Sequence, residues 1–272
     1  MTEQKRSNRR RQTIPLQKKF GQHHLVRGSI CAPLVDFLEP GERLVVEIGP
    51  GGGVLTQELV MAGARVIAVE IDLAWAVALT SRLVSSPIGV CVGDATEVHW
   101  QSLPPGTLVT GNLPFNVSTV LIEQLLPHWQ RVPRAAFLVQ KEVGDRLLAG
   151  PGDAAYGALS VLTAARARVS RLGRVSRGSF RPPPKVDGVF VGLELARPVL
   201  EEAEMQSFTA TVRLSFSQRR KQLRNALAAG WGREAASAVL DVAGIEPRWR
   251  AEELSLDQFL QLHRAYRGAH RL

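Results

Sequence analysis

Apolar positions along this chain fall in short runs, and two kinds of run alternate. Residues 44–48 (Leu-Val-Val-Glu-Ile) and 64–70 (Ala-Arg-Val-Ile-Ala-Val-Glu) are brief and rich in β-branched residues, the pattern of strands. Residues 88–92, 107–110 and 135–139 repeat it. The stretches 54–62, 73–83 and 117–126 between them have helical composition, and 30–38 reads as a helix stopped by Glu39-Pro40-Gly41. Strands alternating with helices at this spacing predict an α/β fold, doubly wound about a mostly parallel sheet. Ligands of such sheets sit at the carboxyl ends of the strands.

After Gly150 the pattern changes. Residues 156–165 read as a helix, and 169–175 and 186–195 as strands separated by Phe180-Arg181-Pro182-Pro183-Pro184-Lys185. With no long helix between them they form an antiparallel pair, which makes the sheet seven-stranded. Alternation stops near Arg197-Pro198, and 201–216, 219–229, 233–243 and 256–266 carry helical patterns. The expected division is a basic arm (1–19), an α/β domain (20–197) and a small helical C-terminal domain (198–272).

Charge adds a partner. Lys and Arg number 34 against 25 Asp and Glu, a formal net charge of +9, which points to a polyanion. The excess is clustered. Lys5, Arg6, Arg9, Arg10, Arg11, Lys18 and Lys19 face only Glu3 in the arm, and no acid interrupts the basic residues between Arg166 and Lys185. Arg213, Arg219, Arg220, Lys221 and Arg224 form a third group. Any one of these suits a solvated face; three together favour phosphate contacts. The two cysteines, Cys31 and Cys91, form no CxxC, so neither a zinc site nor a disulfide framework is expected. No apolar run approaches the roughly 18 residues that span a bilayer, and the N-terminus lacks the apolar segment of a signal peptide. A cytoplasmic monomer with no metal and no membrane partner is expected.

The candidate chemistry falls at the strand ends. Val45-Val46-Glu47-Ile48-Gly49-Pro50-Gly51-Gly52-Gly53 takes the first strand into a glycine turn, where backbone can approach a ligand closely. A dinucleotide G-x-G-x-x-G is the competing reading, but its third glycine falls on Val54. Glu70 ends the second strand and suits a ribose diol; Asp94, in Gly93-Asp94-Ala95, suits an adenine amino group, or else simply forms a turn. Asp72 has a sufficient task as the N-cap of the next helix. Gly111-Asn112-Leu113-Pro114-Phe115-Asn116 follows the fourth strand. It combines an amide acceptor, a stiff turn and a ring on which a base can stack, worth about 1–3 kcal/mol. Chemistry on a base requires extruding it into such a pocket. Together the two segments suggest a methyltransferase acting on adenine N6.

These residues resemble a family. Lys19-Phe20-Gly21-Gln22-His23-His24-Leu25, Glu47-Ile48-Gly49-Pro50-Gly51, Asn112-Leu113-Pro114-Phe115-Asn116, Gln140-Lys141-Glu142-Val143, Tyr156-Gly157-Ala158-Leu159-Ser160, Phe180-Arg181-Pro182-Pro183-Pro184-Lys185-Val186-Asp187 and Phe216-Ser217-Gln218-Arg219-Arg220-Lys221 are similar, in that order, to the ribosomal RNA adenine N6-dimethyltransferases of the small-subunit branch. The resemblance implies a Rossmann-like class I methyltransferase fold, S-adenosylmethionine as donor, and two neighbouring adenosines near the 3′ end of 16S-type RNA in a 30S precursor as substrate. It implies donor contacts at His23, Leu25, Gly49, Gly51, Glu70, Asp94 and Asn112, catalytic positions at Asn112, Leu113, Pro114 and Phe115, and RNA contacts at Arg181, Lys185, Arg219, Arg220 and Lys221. Two departures stand out. The family usually has Asn-Phe-Leu where this chain has His23-His24-Leu25, and Tyr where it has Phe115. Phe115 also fits the macrolide-resistance methyltransferases of large-subunit RNA, the first alternative. A non-catalytic assembly or transcription factor on the same fold is the second, and a DNA adenine methyltransferase, which usually carries Asp-Pro-Pro-Tyr, the third.

Overall fold

The computed structural model describes residues 23–114 and 116–270. The basic arm and Phe115 therefore lie outside the described residues. After a two-residue strand β1 (His24–Leu25), the chain runs α1 (Ala32–Leu38), β2 (Leu44–Ile48), α2 (Val54–Met61), β3 (Arg65–Glu70), α3 (Leu73–Arg82), β4 (Ile88–Val92), β5 (Leu108–Asn112), α4 (Ser118–Leu125), β6 (Arg134–Gln140) and α5 (Lys141–Leu148). It continues with α6 (Ala158–Ala164), β7 (Ala167–Val175), β8 (Phe180–Arg181) and β9 (Gly188–Leu195), then α7 (Glu202–Ser215), α8 (Leu223–Trp231), α9 (Arg233–Ala243) and α10 (Leu256–His270).

Seven strands form one sheet in the order β4-β3-β2-β5-β6-β9-β7. Pairing is parallel from β4 to β6 and antiparallel on both sides of β9, as the missing crossover helix requires. Alternate residues feed two cores. Val46, Ile48, Val109 and Phe137 meet Leu121 and Ile122 of α4 on one face. Val45, Leu108, Ala136 and Leu138 meet Leu34 and Leu38 of α1 and Leu59 of α2 on the other. Chain order reverses between β2 and β5, and the crevice at that reversal is where a ligand belongs.

Three expectations need correction. β5 runs on to Asn112, because Gly111 and Asn112 pair with Phe137 and Leu138 of β6; Asn112 ends the strand rather than following it. Residues 219–221 lie in a turn, with α8 starting only at Leu223. One Arg219 amino group donates to the carbonyls of Ala154 and Tyr156, each at 3.1 Å, tying that turn to the entrance of α6. Helix α5 was not predicted at all: Gly144 and its many charges mask a face on which Val143, Gly144 and Leu147 are buried.

The four C-terminal helices surround their own core of Phe208, Val212, Leu227, Leu240 and Phe259, and α6 contributes Val161 and Leu162 to it. His263 is wholly buried in that core, edge-on to Phe208 and close to the Ser207 and Thr211 hydroxyls. Burial, then Arg264, pushes its pKa below the ordinary 6.5. The unfolded state thus takes up the proton first as pH falls. The stability tied to neutral His263 is complete above pH 6.5 and is lost as pH drops through the lower folded value. Thermal melts of His263→Gln against wild type should show a smaller acid-side loss in the variant. Equal losses would remove His263 from the acid response.

Candidate active site

One cavity opens at the carboxyl ends of β2, β3 and β5, and its lining includes His23, His24, Leu25, Gly49, Gly51, Glu70, Asp94, Asn112, Leu113 and Pro114. Residues far apart in sequence therefore converge on one site. The glycine turn is built on positive φ at Gly49 (64°), Gly51 (46°) and Gly53 (68°), values that side-chain-bearing residues rarely adopt.

Glu70 holds this turn. Its Oε2 accepts the N–H of Gly51 and its Oε1 the N–H of Asp72, both at 3.0 Å. Burial raises its pKa, the backbone N–H groups of Asp72, Gly51 and Ile71 oppose that, and the nearby Asp72 carboxylate adds to it. Each oxygen retains a second lone pair for a hydroxyl. Asp72 caps α3 by accepting from Ala74 N–H, the structural task expected of it. Beneath the turn, buried Glu47 accepts from the Thr56 hydroxyl at 2.6 Å, and desolvation pushes its pKa up to about 8. The Oδ1 of Asp94 takes both the N–H and the hydroxyl of Thr96 at 2.8 Å, so Asp94 forms its turn and lines the cavity as well.

The amide of Asn112 is fixed by position. Its Nδ2 donates to the carbonyl of His23 at 2.6 Å. A carbonyl can only accept, so Oδ1 is left as the acceptor. Leu113 buries its side chain and ties its N–H to the Leu138 carbonyl at 3.0 Å, so only its own carbonyl is available to a substrate. Phe115 is outside the described residues.

The pocket mouth is built by a clasp that pattern reading missed. β1 pairs antiparallel with β8, His24 opposite Arg181 and Leu25 opposite Phe180. His23 adds a bond from Nδ1–H to the Pro182 carbonyl at 2.8 Å, so its ring is turned to the rim. Two-residue strands carry no periodicity, so no sequence pattern announces this meeting. The clasp brings exposed Arg181 close to the acid-lined cavity, with exposed Lys185 a few residues on. Other parts of the basic stretch are engaged internally: Arg166 binds Glu202 in a fork at 2.9 and 2.7 Å, and Arg168 and Arg171 pair with Glu194 and Asp145. Arg220 and Lys221 are exposed in the turn before α8.

Among the described residues no three His, Cys, Asp or Glu cluster as metal ligands, and no helix is long and apolar enough to cross a membrane.

Comparison with known proteins identifies the family. A ribosomal RNA small subunit methyltransferase A from Syntrophotalea carbinolica is 39% identical over 253 residues, covering 90% of this chain and 95% of that protein. A dimethyladenosine transferase from Plasmodium falciparum superposes with a TM-score of 0.75 at 26% identity, over 88% of this chain and 96% of the other. The 23S rRNA methyltransferase ErmE follows at 0.69 and 26%, over 89% and 98%. Residues 15–267 match the model of one family. On that match and those identities, the chain belongs to the ribosomal RNA adenine dimethylase family.

Proposed function

We propose that the chain transfers methyl groups from S-adenosylmethionine to N6 of two adjacent adenosines near the 3′ end of small-subunit ribosomal RNA, dimethylating each, on a 30S precursor in the cytoplasm. The observation that carries this reading is the Asn112 amide, locked by the His23 carbonyl at 2.6 Å at the junction of an acidic cavity and a basic rim.

The residues present fit the donor. Glu70 and Asp94 supply carboxylates for a ribose diol and an adenine amine, and the acidic floor favours a cationic sulfonium. Bound there, S-adenosylmethionine supplies an electrophilic methyl group. The rest is positioning by the chain. Oδ1 of Asn112 and the Leu113 carbonyl accept from the exocyclic amine of the target adenine, directing its lone pair and stabilising the positive charge that develops on it. Phe115 offers the stacking face and Pro114 stiffens the turn. Once N6 is cationic it loses its proton readily, so no side-chain base is required.

Arg181 and Lys185, with Arg219, Arg220 and Lys221, supply phosphate contacts. Replacing Arg181 and Lys185 together by alanine should weaken binding to 30S particles and lower the slope of log K against log salt by about 2. Filter binding across a salt series reads this out. An unchanged slope would remove both residues from the interface.

Likeness to the 23S enzyme keeps a second acceptor in view. Tritiated methyl transfer to undermethylated 30S particles, 50S precursors and duplex DNA separates them. The small-subunit reading requires label in the 30S arm; label confined to either other arm refutes it.

A further inference from the structure

The turn Gly49–Gly53 is held from outside by side chains. His24 stacks on Trp75 of α3 with ring centroids 4.5 Å apart and planes tilted by 32°. Its Nδ1 accepts the N–H of Gly52 at 3.0 Å, while Arg82 from the end of α3 donates to the carbonyl of the same glycine. Both polar groups of Gly52 are therefore taken by side chains that do not belong to the turn. The ring presses so closely on the loop that a Cβ at Gly51 would stand 2.3 Å from it. A nitrogen that accepts an N–H carries no proton of its own, so the proton of the neutral ring sits on Nε2. That atom is buried without a partner. Phenylalanine, which the family resemblance leads one to expect here, could stack on Trp75 but could not accept from Gly52.

We infer that His24 is a positioning residue for the donor loop: as neutral imidazole it holds Gly52 through Nδ1, and on protonation that nitrogen becomes a donor facing a donor, which releases the turn and weakens binding of the methyl donor. This rests on the donor site proposed above. The groups facing His24 are His23, which precedes it just outside β1, Glu70 at the end of β3 through its bond to Gly51, Asp72 in the turn before α3, and Trp75 and Arg82 on α3. Burial first, then His23, lowers the pKa of His24 below 6.5, and Asp72 partly opposes them. Release is thus an event of the acid side. Protonating Glu70 would weaken donor binding in the same direction, so the wild-type pH profile must be compared with that of a variant lacking only the imidazole.

The test is calorimetric titration with S-adenosylhomocysteine from about pH 8 down to about pH 5, on wild type and on His24→Phe. Wild type should lose about tenfold more affinity over that range than the variant. Linkage then requires the His24 titration midpoint, followed by nitrogen chemical shifts in wild type, to fall by at least about one unit on saturation with S-adenosylhomocysteine. The same spectra should show the proton on Nε2 at neutral pH. Parallel affinity profiles in the two proteins, or a ring protonated on Nδ1, overturn the inference and leave the donor site standing. Failure of both proteins to bind S-adenosylhomocysteine at any pH overturns the donor site together with the inference.

Discussion

Asn112→Ala should lower methyl transfer to 30S particles by at least about 100-fold, the usual cost of losing one preorganised polar contact to developing charge. The substitution removes two things. It deletes the Oδ1 acceptor, and it frees the His23 carbonyl from the amide that holds it at 2.6 Å. Asn112 closes a strand paired to β6 through its backbone, so the fold should persist, with a melting temperature near wild type. RNA affinity should change by less than about threefold, because the phosphate contacts proposed above lie on Arg181, Lys185 and the turn before α8. Single-turnover transfer and filter binding measured on one preparation separate these effects. Turnover near wild type would show that the amide does not orient the base.

The second large effect is on stability. A Cβ at Gly111 would stand 2.4 Å from the Ile48 carbonyl oxygen and 3.2 Å from Ile48 Cβ. The blocking atom is backbone of the neighbouring strand, so no rotamer change relieves the clash. Gly111→Ala should therefore cost near the upper end of the roughly 1–3 kcal/mol typical of overpacking, lowering the melting temperature by about 6–12 °C for a chain of this size. The same shift would part β2 from β5 at the floor of the cavity, so donor affinity should fall as well. Gly268, inside α10, offers the contrast: a Cβ there meets nothing within 4 Å. Gly268→Ala should stabilise by about 0.5–1 kcal/mol through the unfolded chain and helix propensity. Calorimetric scans of the two variants should move in opposite directions. A Gly111→Ala melt at the wild-type temperature would show that β2 and β5 have room to separate.

Much of this was legible because the central strands of the sheet, β2, β5, β6 and β9, are buried almost throughout. Strand β2 begins and ends where its apolar run does and β3 ends on Glu70, so the glycine turn and Glu70 follow directly from those boundaries. The Asn112 amide was legible from residue chemistry, and the family motifs extended the site to Leu113. What pattern could not show depends on tertiary pairing. Gly111 and Asn112 have poor strand propensity, and only their register against Phe137 and Leu138 extends β5 through them. The clasp of His24–Leu25 on Phe180–Arg181 joins segments far apart along the chain. No local signal announces that His24 and Trp75 stack, or that Gly52 is the partner of an imidazole. Among the basic clusters, composition could not separate Arg166, bound to Glu202, from Arg181 at the pocket mouth; burial does.

In the function proposed here, this cavity presents N6 of small-subunit adenosines to a methyl donor. Mass-spectrometric mapping of ribosomal RNA from a strain lacking the gene, complemented with wild type or with Asn112→Ala, decides the matter. Two adjacent adenosines near the 3′ end of the small-subunit RNA should be unmethylated in the deletion, dimethylated again with wild type, and bare with the variant. Both sites fully dimethylated in the deletion, or a mass change confined to large-subunit RNA, would contradict it.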